Sequence, residues 1–195
     1  VLCIVTTITS TSVLRNNIEE EIKGSLKIIA VSLEETYSSL YVGDYSSDLN
    51  GALFKGETKI SGNNALLDAL KDNTGYESSF YWNGRAVLTT ILRKKGGRIN
   101  GLPADEEIYA RVMNGEEVFT TDTVIEDINY YAYYRPLVNS DGSVVGCLFA
   151  AKPTAEVEAM VKREAAKITL YSVIISCVCV AVILLIANGF SRNMV

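Results

Sequence analysis

The segment Ile168–Ala187, "ITLYSVIISCVCVAVILLIA", runs twenty residues without a charge. As a helix it is about 30 Å long, the thickness of a bilayer's hydrocarbon core. A soluble helix of that length carries a polar face, and this one has none. The segment is therefore expected to span a membrane, and the rest of the chain is read around that constraint. Val1–Leu14, "VLCIVTTITSTSVL", is also uncharged but shorter. It lacks the basic start and small-residue cleavage site of a signal peptide. It is expected to be the end of a first membrane helix, residues 1–14, that starts upstream.

Two spans would put residues 15–167 on one side of the bilayer. That region holds 17 of the 18 Lys and Arg and all 23 acidic residues. An acidic domain is a poor partner for nucleic acid. Arg192 follows the second span and points to a cytoplasmic C-terminal end by the positive-inside rule. Cys3, Cys177 and Cys179 lie in the two apolar segments, and Cys147 has no cysteine partner in the middle region. The sequence contains no histidine. Zinc sites and histidine-based acid–base catalysis thus lose their usual groups, and no metal, cofactor or enzymatic activity is expected.

The middle region opens with a long helical pattern from Arg15 to about Tyr41. Ile18, Ile22, Ile29, Leu33 and Leu40 form an apolar stripe. Two readings stay open: the stripe packs on its own domain, or part of it meets a second copy in a homodimer. "YVGDYSSDLNGALFKGETKISGN" reads as a loop-like crossing with one short hairpin, followed by a short helix over Ala65–Lys71. "SSFYWNGRAVLTTIL" holds two strands around Asn83-Gly84, a strong hairpin signal. A helical pattern returns at Ala104–Met113. "EVFTTDTVI", "INYYAYYRPLVN" and "SVVGCLFAAK" read as three further strands, the last two joined at Ser140-Asp141-Gly142. This order predicts an α+β domain with an antiparallel sheet. "EVEAMVKREAAK" is helical and continues into the second span. The basic run "RKKGGR" (Arg93–Arg98) reads either as a solvated loop or as an electropositive flap.

Four pieces, taken in order, carry a resemblance. They are "NGALFKG", "TGYESSFYWNGRAVLTT", "GGRINGLPADEEIYARVMNGEEVF" and "YYAYYRPLVNSDGSVVGCLFAAKPTAEV", together covering about residues 50–157. With the flanking apolar segments, the chain resembles the single-Cache sensor domains of bacterial transmembrane receptors, mostly methyl-accepting chemotaxis proteins. One departure is Leu102, where the family often has threonine. The resemblance implies a PAS-like sheet with a long N-terminal helix, outside the cytoplasmic membrane. It implies residues 15–167 as the extracytoplasmic sensor, 168–187 as the second span, and 188–195, "NGFSRNMV", as the start of a HAMP-type linker to a signalling module. The alternatives are the sensor of a histidine kinase or nucleotide cyclase, or a structural or partner-binding membrane protein without a small ligand.

Strand alternation divides "YYAYYRP" into two rows. Tyr131, Tyr133 and Arg135 share one face, and Tyr130, Tyr134 and Pro136 share the other. A guanidinium fork suits a carboxylate, and phenols supply an apolar wall with one donor each. On the first hairpin, Arg85 and Thr89 are expected on a common face, with Tyr81 on the preceding strand. The expected pocket is thus lined by Tyr81, Arg85, Thr89, Tyr131, Tyr133 and Arg135, with a guanidinium holding a small carboxylate. The competing reading is ordinary sheet packing for the tyrosines, a surface position for Arg85, and an acidic partner for Arg135. Which tyrosine row faces a pocket stays open.

Overall fold

The computed structural model describes residues 2–49 and 51–192. In chain order the elements are α1 (Leu2–Leu40), β1 (Tyr45–Ser47), β2 (Leu53–Lys55), β3 (Thr58–Lys59), α2 (Ala65–Thr74), β4 (Glu77–Trp82) and β5 (Arg85–Thr89). They continue with α3 (Glu106–Met113), β6 (Val118–Ile125), β7 (Ile128–Val138), β8 (Val144–Pro153) and α4 (Thr154–Arg192). The chain divides into two compact units, one from Glu19 to Glu156 and one made of the residues up to 18 and from 157 on.

In the first unit the strands expected from alternation form one five-stranded antiparallel sheet, order β5-β4-β8-β7-β6. Asn83 and Gly84 join β4 to β5 with φ of 49° and 71°, which matches the primed turn that favours Asn-Gly. The crossing from β5 through α3 to β6 places β6 at the far edge, and β8 closes the sheet between β4 and β7. The region 41–63, expected to hold one hairpin, instead forms a second, three-stranded sheet, β1-β2-β3. Helix boundaries shift for local reasons. α2 runs on to Thr74 because Gly75, at φ 72°, supplies its left-handed cap. α3 begins at Glu106, not Ala104, because Asp105 is extended and caps the Ile108 N–H at 3.0 Å.

Each sheet face has its own cover. On one side Leu33 and Tyr37 of α1, Leu67 of α2, and Tyr45 and Leu53 of the small sheet pack on Phe80, Leu88, Leu137 and Leu148. On the other, Ile99, Leu102, Ile108 and Val112 pack on Tyr81, Tyr134, Cys147 and Phe149. The apolar stripe of α1 is spent within the chain: Ile22, Leu26, Ile29, Leu33 and Tyr37 are all buried. Leu40 is a correction to that stripe. It sits at the last turn of α1, with no sheet left to cover it, and is 55% exposed.

Strand alternation breaks at one place that matters. Phe80 pairs with Leu88 and Tyr81 with Ala86, so Val87 is an extra residue in β5. A bulge of this kind flips the side chains beyond it. Arg85 and Thr89 therefore lie on opposite faces, against the expectation that they share one. In the central strand, a Cβ on Gly146 would come within 2.5 Å of the Tyr81 carbonyl oxygen and 3.3 Å of the Trp82 ring. Gly146→Ala is expected to destabilise this unit by about 1–3 kcal/mol, as overpacking does. Urea unfolding would measure it, and an unchanged midpoint would contradict the close approach.

In the second unit α4 has no break. Among the described residues, its Thr154–Asn188 part is the helix long and apolar enough to cross a membrane, and none of its most apolar window is buried. Residues 2–14 are helical and continuous with the rest of α1, and 188–192 are the end of α4. Val1 and residues 193–195 of the expected linker lie outside the described residues.

Candidate functional site

Between the sheet and α3 lies a cavity of about 600 Å³. Its inner wall is Tyr81 of β4 and Tyr134 of β7, both buried. Phe149 of β8 stands between them, with ring centroids 6.0 Å from Tyr81 and 5.1 Å from Tyr134, both edge-to-face. That contact locks the two phenols in position. The Tyr134 hydroxyl is 3.3 Å from the Thr123 hydroxyl. The Tyr81 hydroxyl has no protein partner among the described residues. Burial pushes both phenols well above their ordinary range, so each stays a protonated donor. Leu102 and Ile108 add apolar surface.

The mouth is charged. Asp105, Glu107 and Arg111 come from α3 and its cap, and Asp122 from β6. Asp122 is there because β6 is irregular: Thr120 pairs with Ala132 but Thr123 pairs with Tyr130, which leaves one extra residue between them. This edge bulge lifts Thr120, Asp122 and Thr123 to the rim, where the Thr120 hydroxyl donates to Asp122. Arg111 grips Glu116 through Nε at 2.9 Å and a second nitrogen at 2.5 Å. The Glu116 bonds raise the Arg111 pKa, and the Arg111 bonds hold Glu116 below the usual carboxylate range. The site thus offers donors and acceptors at one end and carbon at the other, the usual pattern of small-ligand pockets.

Of the six residues expected to line a pocket, this cavity takes only Tyr81. Thr89 is buried against the Ser79 hydroxyl at 2.7 Å. Arg85 donates to the Gly101 carbonyl at 2.9 Å. Strands β5 and β7 are three sheet positions apart, roughly 14 Å, so Arg85 and Arg135 cannot grip one small anion together.

The row of Tyr131, Tyr133 and Arg135 faces α1. Tyr131 donates to Glu19 at 3.2 Å, and Tyr133 donates to Glu117 at 2.5 Å. Arg135 donates to Glu34 at 2.7 Å and pairs with Glu117, which also accepts from Lys27 at 2.7 Å. Partial burial alone would raise the Glu117 carboxyl; the bonds from Lys27 and Tyr133 and the charge of Arg135 outweigh it and hold the pKa below the usual range. Every carboxylate that Arg135 needs is therefore already supplied by α1 and by Glu117. In the basic run, Lys94 pairs with Asp127 and Arg98 with Asp68 and the Thr89 carbonyl.

The cavity lining also includes Tyr134, Asp105, Arg111, Asp122 and Thr123, which were not among the six residues expected from the sequence. Alternation supplied Tyr134 as the second of two rows without a sign to choose between them. The acids of α1 were the available signal, since a helix carrying Glu19, Lys27 and Glu34 on its sheet-facing side demands polar partners. The bulge in β6 has no sequence marker.

The sequence model of the family described as "Single cache domain 3" matches residues 58–164. Among solved structures, the ligand-binding domain of the Campylobacter jejuni chemoreceptor Tlp3 with L-norvaline is similar at a TM-score of 0.55 and 17% identity, covering 80% of this chain and 62% of that one. The same domain with L-valine gives 0.52 and 17%, covering 82% and 64%. This chain thus spans less than two thirds of those chains' length. No curated protein matches it.

Proposed function

Since the chain belongs to the single Cache domain 3 family, we propose that residues 15–167 are the extracytoplasmic sensor of a bacterial transmembrane chemoreceptor that binds a small amino acid or a closely related carboxylate in the cavity under α3. The observation that carries this reading is the pairing of a phenol-walled interior with a mouth that holds both signs of charge. A ligand carboxylate would share Arg111 with Glu116, and an ammonium would meet Asp105 and Asp122. The aliphatic part would lie on Tyr81, Tyr134, Leu102 and Ile108. The similar Tlp3 domains hold L-norvaline and L-valine, ligands of this build.

Residues 1–14 and 168–187 would be the spans, with 188–195 entering the cytoplasm. α3 and β6 each give one side to the ligand, so a ligand that prefers one packing of the two shifts the domain between states. α4 leaves directly from β8 and is the unbroken element that would carry that shift inward. The test is thermal unfolding of the 195-residue chain in nanodiscs with a panel of L-amino acids and short carboxylates. A ligand at 100 times its dissociation constant adds about 2.7 kcal/mol. Arg111→Gln should then weaken the responding ligand about tenfold, the scale of one charge-assisted bond. No response across the panel would remove the reading.

A further inference from the structure

Away from its charged mouth, the cavity under α3 is lined by the carbon of Leu102, Ile108, Val118 and Ile125. Two phenol hydroxyls interrupt that lining, those of Tyr81 and Tyr134. They are not equivalent. The Tyr134 hydroxyl has the Thr123 hydroxyl at 3.3 Å. The Tyr81 hydroxyl has no partner among the described residues, although Tyr81 is only 2% exposed. Among the described residues, the sealed hydroxyls without a partner are those of Tyr45, Ser78 and Thr154. Tyr81 is not one of them, so its oxygen keeps accessible surface, and the cavity is the concavity that Tyr81 lines.

The position of this hydroxyl is fixed. Phe149 holds both rings edge-to-face, at 6.0 Å from Tyr81 and 5.1 Å from Tyr134. The two phenol groups are near enough to act on each other electrostatically, and Tyr134 also feels the Asp105 carboxylate of the mouth. Burial keeps Tyr81 protonated, so its hydroxyl both donates and accepts. A ligand whose tail ends in a polar atom can bond to it in place of water. A ligand whose tail ends in a methyl drives water out and leaves a buried hydroxyl unpaired, which is costly.

We propose that Tyr81 is a specificity-determining residue of this cavity, selecting amino acids whose side chain carries a hydroxyl or other hydrogen-bonding group over aliphatic ones. This rests on the reading of the cavity as an amino-acid site. The charged mouth meets the head group that all amino acids share, so it does not distinguish side chains. Leu102 and Ile108 receive the carbon of the tail, and the Tyr81 hydroxyl bonds its polar end. A site built to bond a ligand hydroxyl discriminates strongly against the analogue that lacks it.

Two isosteric pairs test this: L-threonine against L-valine, and L-homoserine against L-norvaline. Each pair exchanges a hydroxyl for a methyl. Affinities would be measured by titration calorimetry on the 195-residue chain in nanodiscs. In at least one pair the hydroxyl member should bind about tenfold or more tightly than its partner. In Tyr81→Phe that margin should shrink to about twofold or less. The variant loses one oxygen that no described residue bonds, and its thermal midpoint without ligand checks the fold. Arg111→Gln should weaken both members of a pair alike and keep their ratio. The proposal is overturned if both methyl members bind as tightly as their hydroxyl partners, or if the margin survives in Tyr81→Phe. If none of the four binds, or if Arg111→Gln leaves all their affinities unmoved, the amino-acid reading of the cavity falls and takes this proposal with it.

Discussion

Arg135→Ala should destabilise the 19–156 unit by about 2–4 kcal/mol while leaving ligand affinity unchanged. The guanidinium is 28% exposed and bridges Glu34 of α1 and Glu117 before β6. Removing it takes the guanidinium from Glu34 and Glu117, which are mostly buried at 22% and 28% exposure, and leaves Glu117 only Lys27 and Tyr133. Breaking a fully buried pair costs about 3–5 kcal/mol, and partial exposure lowers that figure. The pH dependence has a definite sign. Glu117 titrates below its ordinary value in the folded state, so its contribution is complete above the unfolded carboxylate pKa. It is lost as pH falls through the lowered folded value. Wild type should therefore lose stability on acidification below about pH 4.5, and Arg135→Ala should lose somewhat less over the same window, because one of the groups that depress Glu117 is gone while the Lys27 and Tyr133 bonds remain. Urea midpoints at neutral and acid pH would measure both. A variant of wild-type stability that no longer binds ligand would return Arg135 to the binding site and break the assignment.

That contrast shows what was legible in the sequence. The sheet, its hairpins and the apolar end of α4 follow from periodicities that local chemistry enforces: alternation in β7, Asn-Gly at the first turn, twenty uncharged residues at Ile168–Ala187. The roles of Arg85, Thr89 and Arg135 depend on facts that no local pattern carries. A single extra residue at Val87 reverses which side Arg85 takes. The choice between the Tyr131 and Tyr134 rows depends on which face α1 covers. The covering helix is about a hundred residues away in sequence, and its Glu34 meets Arg135 only in the folded chain. A guanidinium beside tyrosines looks the same in sequence whether its carboxylate belongs to a ligand or to a helix. The second extra residue, in β6, explains why Asp122 and Thr123 reach the cavity mouth unannounced.

Ile108→Trp should abolish ligand binding at the proposed site and leave the domain folded. Ile108 is partly buried on the cavity side of α3, one turn before Arg111, and its side chain lines the space that Tyr81 and Tyr134 close from below. An indole there can extend into the cavity of about 600 Å³ that Ile108 lines, although Ile108 also packs on the Tyr81–Tyr134 cluster. The cost in stability should therefore stay at or below the usual overpacking penalty of about 1–3 kcal/mol. The indole would occupy the apolar part of the ligand's volume and leave the charged mouth intact. Arg111→Gln does the reverse, removing charge and keeping space. The two variants thus separate shape from electrostatics: loss of all binding in Ile108→Trp with a tenfold loss in Arg111→Gln is the pattern that a ligand seated under α3 produces. Thermal unfolding with and without the responding amino acid reads both. Full ligand stabilisation in Ile108→Trp, with circular dichroism unchanged, would mean that the ligand sits elsewhere and that the cavity under α3 is not the sensing site.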